Sequence, residues 1–266
     1  MSTAFDNLER DADLYTIDDL PESDGKPMAE THKHVLQMVA ALNALRWHFR
    51  DDPQLYLIGN MFVYFLDSLG TLRRIAPDIF AVRGISTEAR RVYSVEKEGK
   101  APDLVIEFTS KKTKKSDLIK KPRIYSWLGV SEYFMFDPLG DYLKPRLIGN
   151  ELVGGEYVRM KLTHGRLHSK VLGLDLVADG DDLRFYDPLT EKWLLTHEEA
   201  QAARQIAEAQ VQREAQARQI AEAQVQREVQ ARQIAEAQAE RELAARQAAE
   251  AQIAWLHQEL ARLQKT

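Results

Sequence analysis

The sequence predicts a mixed α/β domain built on one central sheet, followed by a long C-terminal α-helix. Three observations carry this. Short β-rich runs follow a segment of helical periodicity, and a second helical stretch interrupts them. Hydrophobic residues make up 44% of the 266, enough for one sizeable core with an appendage. After Pro188 there is no further Gly or Pro, and a repeat takes over.

Residues 1–27 read as an acidic N-terminal arm. From Asp6 to Asp24 there are eight acids and one base, Arg10. Such a stretch is expected to be exposed and partly disordered, a solvating tail rather than a mask for a basic cleft.

Residues 28–197 read as the globular domain. "MAETHKHVLQMVAALNALRWHF" places Val35, Met38, Val39, Leu42, Leu45 and Trp47 at mostly helical spacing, which predicts a helix packed on a core. Strands are expected at 55–59, 61–66, 78–82 and 103–108, then a helix over 116–128 and a strand at 132–136. Later segments ("RLIG", "YVRMKL", "LDLVA", "LRFYDPLTEKWLL") look like hairpins around Gly and Asp-Pro turns.

Residues 198–266 read as one long repetitive helix and a candidate coiled coil. The unit "ARQIAEAQVQRE" starts at Ala203 and Ala217 and recurs in variant form at Ala231 and Ala245. The period of fourteen is two heptads. Ala, Gln, Glu and Arg are strong helix formers, and Glu214–Arg218, Glu228–Arg232 and Glu242–Arg246 are spaced for i,i+4 pairs. Ile206, Ile220 and Ile234 recur, but Gln210 and Arg213 occupy the intervening seam positions. Self-association through this helix is expected, with a solvated single helix as the alternative.

Charge and composition exclude several functions. The net charge is −5 and the pI about 5.9, so a nucleic-acid footprint must be local. Without cysteine there are no disulfides, thiolate zinc sites or thiol nucleophiles. No apolar run has the ~20 residues of a membrane span, and the first residues lack a signal-peptide pattern. A cytoplasmic, membrane-free protein is expected.

The local chemistry lies in "APDLVIEFTSKKTKKSDLIKKPRIYSWLGVSEYFMFDP", residues 101–138. Asp103 and Glu107 share one strand face with Val105 between them, while Leu104 and Ile106 point to the other face. Burying Glu107 on an apolar strand is costly unless a cation or a lysine offsets it. Seven basic residues follow from Lys111 to Arg123, opposed only by Asp117. Phosphodiester hydrolysis calls for carboxylates that hold a hard cation and a nearby lysine that stabilises charge. Asp78, at the start of the 78–82 strand, completes such a set.

Residues 76–138 resemble the Uma-type family of putative restriction endonucleases, within the PD-(D/E)XK nuclease superfamily. The resemblance rests on Pro77-Asp78, Pro102-Asp103 to Glu107, Ser110 and Thr113, Asp117, Lys121, Tyr125, Gly129-Val130, Glu132-Tyr133 and Asp137-Pro138. It continues weakly to about residue 198. It implies a restriction-endonuclease-like central mixed sheet flanked by helices and a metal-dependent endonuclease cleaving DNA. It also implies Mg²⁺ (or Mn²⁺) on Asp78 and Glu107, with Lys121 as the catalytic lysine. Asp103 and Glu30 are further candidate ligands, and His32 is an alternative to Glu30. In the superfamily's usual motif the lysine stands two residues after the glutamate, where this chain has Thr109. Lys121 must therefore reach back from the following helix, with Lys120 as substitute. Pro122, directly after it, is expected to delay or kink that helix and to keep Lys121 out of the helical region.

Other readings differ in class. The nuclease-like domain could be a catalytically silent scaffold for an oligomerising or partner-binding helix, or the substrate could be RNA or damaged DNA. His164 and His168 have zinc-ligand spacing only if helical, and they sit in a hairpin region.

Overall fold

The computed structural model describes residues 20–23 and 32–263, the last six of these in backbone only. The chain divides after Ala200 into two units.

The first helix of this unit among the described residues is α1 (His32–His48). Its buried face is His34, Met38, Ala41, Ala44 and Leu45, whereas Val35, Val39 and Trp47 are exposed. The expected core face is thus rotated. Small alanines lie flat against the sheet, and hydrophobic periodicity gives such residues little weight.

Six strands form the central mixed sheet: β1 (Leu55–Gly59), β4 (Ile79–Arg83), β6 (Leu104–Phe108), β7 (Glu132–Phe136), β8 (Leu147–Val153) and β9 (Glu156–Arg159), in that spatial order. Within this sheet, among the described residues, β6 and β7 run parallel and the other neighbouring pairs antiparallel. That parallel pair requires a crossover, which the helical segment 116–128 supplies.

Alternation along the strands feeds two cores. Leu57, Ile79, Ile106 and Phe134 pack with α1 on one face. Tyr56, Phe80, Val105 and Tyr133 pack on the other, with Tyr125 from the crossover.

Two smaller sheets flank the large one. β2 (Val63–Leu66) lies between β3 (Leu72–Ile75) and β5 (Tyr93–Ser94), and α2 (Val95–Glu98) follows. β10 (Leu167–Ser169), β11 (Leu174–Asp179), β12 (Asp182–Asp187) and β13 (Lys192–Trp193) form an antiparallel meander. His164 has a positive φ of 51° in the turn before β10, and His168 bonds Asp175 through Nδ1 at 2.8 Å, so the pair has no helical zinc spacing.

Most of the acidic arm lies outside the described residues, but Leu20 and Pro21 dock on the domain, while Glu22 stays exposed. Leu20 is buried, and the Tyr64 hydroxyl donates to the Pro21 carbonyl at 2.6 Å. Arg91 pairs with Glu22.

The last helix, α4, spans His197–Leu263. A capping box starts it: the Glu199 N–H donates to Thr196 Oγ1 at 3.2 Å, and the Thr196 N–H donates to Glu199 Oε2 at 2.8 Å. All residues 201–257 are exposed. The ion pairs that form are Arg204–Glu208, Arg218–Glu222, Arg232–Glu236 and Arg246–Glu250, in place of the expected Glu-to-Arg pairs. Arg218, Arg232 and Arg246 each have acids four residues before and after. The choice between them is worth only about 0.2–0.5 kcal/mol on a helix. Among the described residues, no helix is long and apolar enough to cross a membrane.

Candidate active site

The antiparallel register of β4 and β6 sets Ile79 opposite Ile106. One step on, it sets Asp78 opposite Glu107. The Asp78 carboxylate accepts the Phe108 N–H at 2.6 Å, and the Asp78 N–H donates to Glu107 Oε2 at 3.4 Å. The two residues thus face each other at the common end of the two strands.

The crossover helix supplies the lysine. A π-helical turn, Ser116–Lys120, leads directly into α3 (Lys121–Leu128). The Lys121 N–H donates to the Ser116 carbonyl five residues back. Pro122 does not end the helix, and Lys121 itself is helical at φ −61°, ψ −44°. The wider turn absorbs the donor that proline lacks. The register with five-residue spacing would pair the Asp117 carbonyl with residue 122, and the Tyr133 hydroxyl donates to that carbonyl at 2.8 Å.

Lys121 Nζ lies 2.7 Å from Glu107 Oε2 and 3.1 Å from Asp117 Oδ1. The Tyr125 hydroxyl donates to Glu107 Oε1 at 2.6 Å, and Thr109 Oγ1 donates to Asp117 Oδ2 at 2.6 Å. Thr109 also meets the Tyr142 hydroxyl. Asp137 holds that loop by accepting the N–H groups of Tyr142 and Leu143 at 2.8 and 3.0 Å. The Thr109 position therefore orients the anchor of Lys121 instead of providing the lysine.

Only part of this cluster reaches solvent. The side chains of Asp78 and Lys121 are 15% and 18% exposed, those of Glu107 and Asp117 1% and 2%. Burial pushes the Glu107 carboxyl up to about 8, against the lowering effect of Lys121. Burial also opposes the Lys121 ammonium, but Glu107, Asp117 and Asp78 outweigh it and raise its pKa. Burial, then the Glu107 charge, keeps the Tyr125 phenol protonated far above its usual range.

Asp103 does not join the cluster. It sits at the other end of the strand, four residues or about 13 Å from Glu107. There it accepts the Arg83 N–H at 2.7 Å and pairs with Lys100 at 2.8 Å. Glu30 lies outside the described residues. His32 is exposed. From α1 it is His34 that approaches the site, with Nε2 3.5 Å from Asp78 Oδ2. Lys120 is exposed and makes no ion pair among the described residues, so the reaching lysine is Lys121.

Asp117, Tyr125 and Thr109 lay within the quoted motif but outside the expected site set. For Asp117 and Tyr125 the signal was spacing, since 117, 121 and 125 are successive helical turns on one face; Thr109 carried none. Outside the cleft, Lys112, Lys115 and Arg123 are exposed, and Lys111 lies 3.4 Å from Asp141.

This is a mixed α/β domain with carboxylates and a lysine gathered at the ends of two central strands. The chain belongs to the Uma2 family, described as "Putative restriction endonuclease", whose family model matches residues 14–174. The match starts earlier than the motif resemblance, inside the acidic arm, and stops short of residue 198. A solved structure from Anabaena variabilis ATCC 29413, titled a putative nuclease belonging to DUF820, is similar at 15% identity and a TM-score of 0.41. That match covers 59% of this chain and 90% of the other. None of the curated proteins compared matches the chain.

Proposed function

We propose that the protein is a metal-dependent endonuclease of the PD-(D/E)XK type that hydrolyses DNA phosphodiester bonds. The observation that supports this best is the convergence of Lys121, Glu107 and Asp78 at one strand end, two of them partly open to solvent.

The donor set suits Mg²⁺ (or Mn²⁺). Among the described residues no three His, Asp or Glu side chains form a ready cage, but Mg²⁺ is ordinarily held by one or two carboxylates, with water and substrate phosphate completing its shell. Asp78 and Glu107 would hold it, and a cation there supplies Lewis-acid polarisation and a more acidic water. The chain's own groups do the rest. Lys121 keeps its proton and places positive charge where a phosphorane gains negative charge. Asp117 and Tyr125 fix Lys121 and Glu107 so that neither swings away. The exposed lysines after β6 contact backbone phosphates. A cytoplasmic setting goes with this reading.

The test is incubation of the purified full chain with plasmid, linear and single-stranded DNA, and with RNA, in Mg²⁺ or Mn²⁺. Cleavage of DNA that Asp78→Asn and Lys121→Met abolish is expected. Cleavage of RNA alone would change the substrate class. A wild-type protein that cuts no nucleic acid would overturn the proposal in favour of a silent scaffold.

A further inference from the structure

The arginines of α4 fall into two sets. Arg204, Arg218, Arg232 and Arg246 each pair with a glutamate four residues on. Arg213, Arg227 and Arg241 have no acid three or four residues away in either direction, and they form no ion pair among the described residues. These three alternate with Ile206, Ile220 and Ile234 at intervals of seven, all of them exposed. Each is followed by a glutamate, Glu214, Glu228 or Glu242, which a neighbour at i,i+1 cannot reach on a helix. The chain thus carries one seam of isoleucines and arginines, edged by Glu214, Glu228 and Glu242, which form no ion pair among the described residues; Glu214 accepts only from Gln210 Nε2, at 3.3 Å.

We propose that this seam is completed by a second copy of the same chain, in a parallel, in-register two-stranded coiled coil over residues 203–242. In heptad terms the isoleucines and arginines are d positions, the glutamates are e, and the a positions alternate Ala and Gln. A knob at d packs into a hole that includes e of the facing helix. In-register pairing therefore brings Arg213, Arg227 and Arg241 of each chain to Glu214, Glu228 and Glu242 of the other, three times over. Small alanines at a let the backbones approach, and each isoleucine layer excludes water between two charged layers. The fourteen-residue period is what this alternation requires: one heptad for an apolar layer and one for a charged layer. A heptad period also keeps the seam on one side of a left-handed supercoil, where a straight helix would let it drift. The inference does not depend on the catalytic reading.

The experiment measures the mass of the full chain in solution by sedimentation equilibrium over a range of concentrations. About twice 30.4 kDa is expected. A chain that stays at 30.4 kDa at every concentration overturns the proposal. The triple variant Arg213→Glu/Arg227→Glu/Arg241→Glu sets acid against acid, and Glu214→Arg/Glu228→Arg/Glu242→Arg sets base against base. Each alone is expected to fall to the monomer mass while circular dichroism stays helical, and an equimolar mixture is expected to restore the dimer. Dimers in either variant alone, or no dimer in the mixture, overturn the pairing. The chain has no native cysteine, so single cysteines report orientation in the unswapped helix. Ala217→Cys, at the seam, is expected to form an interchain disulfide on mild oxidation, and Glu222→Cys, on the outer face, is not. Cross-linking in the reverse order overturns the parallel register.

Discussion

The Tyr133 hydroxyl donates to the Asp117 carbonyl at 2.8 Å, from the strand after the crossover back into the π-helical turn. The bond joins two buried groups and compensates for Pro122, so it maintains the backbone that aims Lys121 at Glu107. Tyr133→Phe keeps the ring and removes the donor. Leaving a buried carbonyl unpaired should lower unfolding free energy by about 1–3 kcal/mol. Urea denaturation checks this, and an unchanged midpoint would mean that the turn needs no such donor.

Thr109 anchors Asp117, which in turn anchors Lys121. Thr109→Val is close in shape but leaves Asp117 Oδ2 without its donor. A stability loss of about 1–3 kcal/mol is expected, together with slower cleavage, since the ammonium would follow its displaced carboxylate. Thr109→Ser, which keeps the hydroxyl, should restore most of both. Equal loss in both variants would point to packing rather than the hydrogen bond.

How far the sequence anticipated the structure follows from what each residue does. β1 and β7 are apolar strands whose bounds their composition marks, and both match the expected 55–59 and 132–136. β3, "LRRI", went unread because two arginines on a flanking strand leave no apolar alternation. The face of α1 was misjudged because His34, Ala41 and Ala44 bury while Val35 and Val39 do not. At the site, the motif pointed to Asp78, Glu107 and Lys121. It could not show that Asp103, on the same face as Glu107, serves the opposite end of the strand. Nor could it show that a π turn resolves the conflict at Pro122, because that answer depends on Tyr133, eleven residues further on.

Glu199 predicts an acid-dependent contribution to stability. The Thr196 N–H, and the Arg184 guanidinium against some burial, hold its carboxyl below the usual 4.5. The unfolded chain then binds this proton more tightly than the folded one. The stabilisation is complete above pH 4.5 and is lost as pH falls through the lower folded value. Glu199→Ala should cost about 0.3–1 kcal/mol at pH 7, the range for an exposed acid in the first helical turn. That difference should shrink toward zero as the solution is acidified below pH 4. Denaturation of both proteins at a series of pH values checks it, and a difference independent of pH would sink the assignment to the carboxylate.

The sharpest contrast lies between Asp78 and Asp103, two aspartates that each follow a proline and each serve the β4–β6 pair. Asp103 accepts the Arg83 N–H and pairs with Lys100, closing the ladder at the far end. Its role is to hold strands together, so Asp103→Asn should cost about 1 kcal/mol of stability and leave the cleavage rate per folded molecule unchanged. Asp78 also accepts a backbone N–H, from Phe108, but it stands beside Glu107 with its carboxylate partly open to solvent. Asn can keep the hydrogen bond through its amide oxygen while losing the charge. Asp78→Asn should therefore fold with stability close to wild type. Its cleavage should fall by at least about a hundredfold, the upper end of what the loss of an outer-shell contact costs a metal site. A calorimetric titration with Mn²⁺ separates the two roles without any turnover, with binding heat lost in Asp78→Asn and retained in Asp103→Asn. Retained binding and cleavage in Asp78→Asn would move the site away from this strand end. Loss in both variants would mean that the sheet, rather than one carboxylate, carries the effect.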